Sequence, residues 1–237
     1  MNTEKNRLTR SNVRDVVVVC SFASSVIYSH SIATTVIGFG LLAIGCFLHI
    51  VAKGALIRNV VLCDRGIYGV VRHPYYLANY VIDSSLCVLS GNLYLVAAYP
   101  FLFFWAYGPT LRKEESYLAS KYGNAFQDDS FNIPQVFPDR DSLKGWRGLL
   151  EGFSVKRISL KERARITRFC SLGFAIMLIH AVNVRELAPL FHPTRNDYGG
   201  FSFMLLAAIF FFLSLVFMLM DRNNRAGRES TCSGSLP

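Results

Sequence analysis

The sequence predicts an all-α integral membrane protein, a bundle of about six transmembrane helices with both termini in the cytosol. Three observations carry this reading. The 237 residues are 52% hydrophobic and only 17% charged, with a mean hydropathy of +0.32; a soluble domain carries about 45–50% apolar and about 25% charged residues. The charges stand in blocks between long apolar runs. Lys and Arg fall almost entirely on alternate inter-run segments.

A membrane-crossing helix needs roughly 17–25 mostly apolar residues. The candidate spans are 16–28, 32–52, 76–90, 93–109, 169–184 and 200–220. Ser29-His30-Ser31 forms the turn between the first two, and Ser90-Gly91-Asn92 joins the third and fourth into a helical hairpin. Pro100 is expected to kink the fourth. The run FMLLAAIFFFLSLVFMLM makes the sixth the least ambiguous. The polar, basic N-terminus precedes an apolar run without a small-residue cleavage site, so the first run reads as a span and not as a cleaved signal. With six spans, segments 1–15, 53–75, 112–168 and 221–237 share one side and hold 23 of the 25 Lys and Arg residues. The other side holds only Arg185 and Arg195. This bias places the basic side, and both termini, in the cytosol. The chain divides into an N-terminal tail and first span (1–31), a core (32–127), a cytosolic amphipathic connector (128–168) and a C-terminal helical hairpin and tail (169–237).

The net charge of +9 belongs to loops at a membrane surface. No basic stripe with a stacking platform accompanies it, so nucleic acid is not an expected partner. The six cysteines include no C-x-x-C pair, and at least four lie in apolar runs; they read as small buried hydrophobes and not as a disulfide framework or zinc site. No metal is expected.

Two stretches are suited to chemistry. The first is DRGIYGVVRHPYY, residues 64–76, on the basic side just before the third span. Pro74 suits the first turn of a helix, where no donor is lost. The open amides of that turn would favour an anion, and Arg72 can grip a carboxylate or phosphate with two prongs. The second is LRKEESYLASKYG, residues 111–123, which places Glu114 and Glu115 directly after the fourth span. Because the third and fourth spans form a hairpin, the two stretches return to one membrane face. Glu there suits an ammonium group, while His73 and the helix amides suit a carboxylate.

The ordered pattern G-x-Y-x-x-x-R-H-P-x-Y, a short hairpin, then E-E-x-x-L-x-x-x-[YF]-G resembles the isoprenylcysteine carboxyl methyltransferase and phospholipid methyltransferase superfamily. It is carried by Gly66, Tyr68, Arg72, His73, Pro74 and Tyr76, then Glu114, Glu115, Leu118, Tyr122 and Gly123, over about residues 36–127. The resemblance implies a membrane fold with S-adenosylmethionine in a cytosolic cavity. It implies that Tyr68, His73, Pro74, Tyr75 and Tyr76 line the cofactor and that Glu114, beside Glu115, holds its amino group or ribose. Val60, Val61, Leu62 and Cys63 align with a cofactor-touching segment, of which Leu62 and Cys63 are the candidates here; the His that often begins it is Val60. Ala78 stands where the family frequently has Gly. The substrate-directing Arg of prenylcysteine methyltransferases, four residues before the first Glu, is Thr110. Arg112 lies nearby, but two residues along a helix point elsewhere. Arg72 and Arg112 are the candidate catalytic residues.

Methyl transfer from a sulfonium asks the protein for alignment and exclusion of water. The acceptor is expected to be a membrane lipid or lipid-linked molecule that enters from the bilayer. A prenylcysteine-type carboxylate is the second choice; an NADPH-dependent sterol-type reductase and a non-catalytic membrane scaffold are the other classes. The length fits a bacterial inner membrane, with the endoplasmic reticulum as the other location. Several polar residues inside spans read as structural. His49 and His180 suit helix–helix hydrogen bonds, Asp83 suits a cavity or a partner helix, and Gly38 and Gly45 permit close packing. His192-Pro193 reads as a loop on the opposite side.

Overall fold

A computed structural model of the chain describes residues 10–56, 65–123, 133–182 and 198–233, and the regular structure among them is all helical. The elements are α1 (Arg10–Ile27), α2 (Ile32–Ala55), the single turn α3 (Ile67–Val70), α4 (Pro74–Leu89), α5 (Leu93–Tyr122), two 3₁₀ turns (Ser142–Gly148 and Val155–Arg157), α6 (Leu160–Ala181) and α7 (Tyr198–Ser233). Each of the six apolar segments coincides with one of the long helices. Three are long and apolar enough to cross a bilayer: Ile32–Ala55, Leu160–Ala181, and Ser202–Arg225 within α7. The others fall short for local reasons. Helix α4 has 16 residues, about 24 Å of rise against a core of about 30 Å. Helix α1 carries Arg10, Arg14 and Asp15. Tyr residues and two prolines dilute α5, which runs on through Pro100 and Pro109.

The helix boundaries follow from capping. Ser31 and Thr34 form a reciprocal capping box at the start of α2. Asn92 Oδ1 accepts from the amides of Tyr94 and Leu95 at the start of α5. Gly91, with φ +73°, closes the α4–α5 turn, and a Cβ there would lie 2.6 Å from the Ser29 carbonyl oxygen. The Asn92 amide donates to Ser24 Oγ at 2.9 Å. The 29–31 and 90–92 turns therefore share one end of the bundle, and the chemistry-bearing stretches share the other.

The tightest packing is α4 on α2 and α7 on α6. A Cβ on Gly45 would lie 2.6 Å from Ile82 Cγ1 and 2.9 Å from its backbone nitrogen, and one on Gly38 would strike Leu89. These glycines set an antiparallel register with 38 against 89 and 45 against 82. Ser214 and Ser171 tie α7 to α6 through the carbonyls of Ala164 and Ala207. Many large apolar side chains, among them Val19, Ile32, Val36, Phe101, Trp105 and Phe212, point outward, as a lipid-facing surface requires.

Several polar residues of the apolar segments are paired across helices. Asp83 is buried and receives Arg14 Nε and Nη2 at 2.9 and 3.1 Å and the Tyr99 hydroxyl at 3.0 Å. His180 Nε2 reaches the Leu89 carbonyl at 3.0 Å, and His49 Nε2 reaches Glu162 at 2.9 Å. Helix α6 starts at Leu160, well before the apolar run at 169, because Ser159 caps it and its first turns carry Glu162 into the core. The regular structure of the connector before residue 160 is two 3₁₀ turns. Its Arg157 Nη1 lies on the last carbonyls of α2, Gly54 at 3.2 Å and Ala55 at 3.4 Å, where a cation is favoured by the helix dipole.

Gly45→Ala is expected to destabilise the α2–α4 pair by about 1–3 kcal/mol, because the obstacle is Ile82 backbone. Gly40→Ala, with nothing within 4 Å of its Cβ, is expected to be neutral. Thermal unfolding in detergent checks both; equal melting temperatures for the two variants would contradict the close approach.

Candidate functional site

The two motif stretches meet. Arg72, His73 and Tyr76 come from the turn that opens α4, and Glu114 and Glu115 come from the far half of α5. Arg72 Nη2 lies 2.9 Å and His73 Nε2 3.4 Å from Glu115 Oε1. The Tyr76 hydroxyl donates to Glu114 Oε2 at 2.8 Å. Both carboxylates therefore lie against donors from one turn, as the hairpin reading expects. An aromatic floor supports them: the Tyr76 ring packs edge-on against Tyr107 at 5.6 Å, and Tyr107 stacks on Phe103 at 4.4 Å.

His73 is nearly fully buried. Burial pushes its imidazole below the ordinary histidine range, outweighing the pull of the Glu114 and Glu115 carboxylates, and the neighbouring Arg72 guanidinium lowers it further. The ring is neutral at pH 7. Glu115 Oε1 and His73 Nε2 are buried, and their 3.4 Å contact lacks hydrogen-bond alignment.

The turn differs from the expected anion site in one respect. The Arg72 amide donates to the Pro134 carbonyl at 2.9 Å, the His73 amide to Gln135 at 3.0 Å, and the Tyr76 amide to His73 at 3.0 Å. Pro74 has no donor. The segment after α5 thus returns to engage the two amides just before α4, while the Tyr76 amide is taken within the turn. Val136 and Phe137 follow it into the α4–α5 aromatic layer, with Phe137 edge-on to Tyr80 at 4.9 Å.

The remaining candidates are placed as follows. Pro74 is buried at the first position of α4. Tyr68, on α3, donates its hydroxyl to the Ala52 carbonyl of α2 at 3.2 Å. Gly66, with φ +63°, precedes it, and a Cβ there would lie 2.5 Å from the Glu151 carbonyl oxygen, so the connector closes directly on the start of the motif. Tyr75 turns to the other side of α4, with its ring 4.9 Å from His49 and its hydroxyl bonded by Arg165. Arg112 is exposed on α5. Leu62 and Cys63, with Val60 and Val61, lie outside the described residues.

Sequence reasoning missed the group around Tyr75. Glu162, buried at the start of α6, lies 2.9 Å from His49 Nε2, 3.6 Å from Lys53 Nζ and 2.9 Å from Arg165 Nη1. Lys53 Nζ stands 3.9 Å over the Tyr75 ring. A single acid inside the basic run KERAR was the available signal. Among the described residues no cluster of His, Cys, Asp and Glu has the makings of a metal site.

Comparison with known proteins adds one relative. Over 92 residues the chain is 27% identical to the protein-S-isoprenylcysteine O-methyltransferase of Schizosaccharomyces pombe, a stretch that covers 39% of each protein. The chain thus matches well under half the length of this curated relative. No family model matches the sequence, and no solved structure matches it. The arrangement around Arg72, His73, Tyr76, Glu114 and Glu115 is therefore that of a membrane-type helical protein with a distant methyltransferase relative.

Proposed function

We propose that this chain is an integral membrane methyltransferase that uses S-adenosylmethionine and acts on a lipid or lipid-linked acceptor at the cytosolic face. The convergence of Arg72, His73 and Tyr76 with Glu114 and Glu115 carries the reading. The similarity to a methyltransferase supports it.

The donor set fits the cofactor. Glu114 is exposed, and one of its oxygens is held by Tyr76; it is placed to accept from an ammonium or ribose hydroxyl. Arg72 and neutral His73 supply N–H donors for a carboxylate. When bound, the cofactor supplies a methyl group made electrophilic by its positive sulfur. The residues of the chain bind and orient it, and the 133–137 segment and the aromatic floor keep water from the reacting face. The lipid acceptor is read from the outward apolar surface of the helices. The cytosolic face is read from the Lys and Arg bias. A prenylcysteine carboxylate is the second reading. The name of the relative favours it; Thr110, where the substrate-directing Arg is expected, opposes it.

Calorimetry on detergent-purified protein is expected to show S-adenosylmethionine and S-adenosylhomocysteine binding. Glu114→Ala is expected to weaken it roughly 10–100-fold, the loss of about one charge-assisted hydrogen bond at about 1.5–3 kcal/mol. Absence of binding by folded protein would remove the methyltransferase reading, and NADPH binding in its place would install the reductase.

A second expectation concerns pH. The folded-state pKa of His73 is lowered, so the folded chain binds fewer protons than the unfolded one. Its stability contribution is full above the ordinary histidine value of about 6.5 and is lost as pH falls below it. Melting temperatures taken from about pH 7.5 to about pH 5.5 are expected to fall more steeply in the wild type than in His73→Asn. Parallel curves would show that His73 takes up its proton without resistance.

A further inference from the structure

The connector before α6 carries an exposed face that nothing above uses. Its first 3₁₀ turn, Ser142–Gly148, has the sequence SLKGWRG. In a 3₁₀ helix, residues three apart stand in line, so the segment presents three rows. Ser142, Gly145 and Gly148 form a row of small residues. Leu143 and Trp146 form an apolar row, and Lys144 and Arg147 a basic one. The small row lets the segment close on α3. A Cβ on Gly145 would lie 3.6 Å from Val70 Cγ2, and Leu149, just past the turn, is buried with Ile67 and Val70. The other two rows turn away from α3. Leu143 is 45% and Trp146 50% exposed, and Lys144 and Arg147 are exposed beside them.

The depth of this face follows from what holds it. Helix α3 lies beside α2 and not beyond its end. Ile67 and Val70 are buried against Leu48, Val51, Ala52 and Ala55, and Tyr68 bonds the Ala52 carbonyl. Residues 48–55 are the last turns of a helix long and apolar enough to cross a bilayer. The connector is tied to the same end further on, where the Ser154 amide donates to the Gly54 carbonyl at 3.0 Å. The Ser142–Gly148 face therefore lies at the level where α2 leaves the hydrocarbon, among lipid headgroups. Its charge is suited to that place. Residues 133–159 hold five Lys and Arg against three Asp and Glu, and each of those acids is already engaged. Asp139 accepts from the Ser142 amide at 2.8 Å, Asp141 meets Lys144 at 2.6 Å, and Glu151 stands 3.7 Å from Arg65.

We propose that the Ser142–Gly148 segment is a membrane-surface anchor for anionic phospholipid, with Leu143 and Trp146 in the acyl boundary and Lys144 and Arg147 on lipid phosphates. An apolar row beside a basic row is the composition of an element that lies in the interface. Trp prefers the headgroup level, and Lys and Arg are drawn to an anionic leaflet. Arg147 can grip a phosphate with two prongs. The segment leads into Glu151, whose carbonyl closes on Gly66 at the start of the motif, so the anchor also braces that closure. The proposal does not depend on the methyltransferase reading.

Fluorescence tests it, because Trp105 and Trp146 are the only tryptophans of the chain. Trp105 points outward from α5, and Trp105→Phe leaves Trp146 as the single reporter. This protein is reconstituted into phosphatidylcholine vesicles that contain phosphatidylglycerol. Trp146 emission is expected to be blue-shifted, quenched by lipid brominated near the headgroup and shielded from aqueous iodide. Quenching by iodide with no effect of brominated lipid would overturn the proposal and leave the face to a protein partner or to solvent. The charge preference is read by titrating brominated lipid into plain phosphatidylcholine. Half-quenching is expected at a roughly 5–30-fold lower mole fraction of brominated phosphatidylglycerol than of brominated phosphatidylcholine, the effect of one or two basic side chains at an anionic surface. Lys144→Gln with Arg147→Gln is expected to abolish the difference while the melting temperature holds. Equal half-quenching by the two lipids in the protein with both basic residues intact would refute the anionic preference.

Discussion

Everything in this bundle is hung on the close contact of α4 with α2. Gly38 and Gly45 let the two backbones approach until a single added carbon would strike Leu89 or the Ile82 backbone. Small residues at such a contact are how helices associate where the hydrophobic effect offers nothing between them. The contact fixes the rotation of α4 about its own axis, and that rotation divides the residues of the motif. Tyr76 faces α5 and Glu114, while Tyr75, one residue earlier and about 100° round the helix, faces α2 and α6. One helix thereby serves two polar groups on opposite sides, each closed by an element distant in sequence.

The charges obey a single economy. Arg14 with Asp83, Arg72 with Glu115, and Glu162 with Lys53 and His49 join elements distant in sequence, and Arg165 adds to Glu162 from the same helix. A charge moved into an apolar surrounding is costly unless it is paired and hydrogen-bonded. This is why α1 can carry Arg14 and α4 can carry Asp83 while their other faces are apolar. The Tyr99 hydroxyl on Asp83 completes the carboxylate's partners. The pairs fix helix order and rotation more than they add net stability.

Much of this was legible in the sequence. Hydropathy and the two turn signals place all six long helices, and the hairpin logic brings residues 72–76 to 114–115. The glycines and the two intramembrane histidines behave as helix contacts. The rest was hidden for physical reasons. Hydropathy reports the apolar part of a helix, so α6 seems to begin at 169 although a capping Ser159 starts it at Leu160. Which acid pairs with which base over 69 residues, as Arg14 with Asp83, is a property of packing and leaves no local pattern. The return of Pro134 and Gln135 to the Arg72 and His73 amides is a long-range backbone contact with no sequence signature. Adjacent tyrosines in a motif read as one unit until the helix rotation separates them.

The central claim is that the two stretches act as one methyl-donor site, and a thermodynamic cycle addresses it directly. S-adenosylhomocysteine affinity is measured for wild type, Tyr76→Phe, Glu114→Gln and the double variant. If the Tyr76–Glu114 hydrogen bond positions the donor-binding carboxylate, the double variant binds no more weakly than the worse single variant, a coupling of about 0.5–3 kcal/mol. Losses that simply add would mean that the two residues meet in the fold but do not share a ligand, and the account of the site would fail.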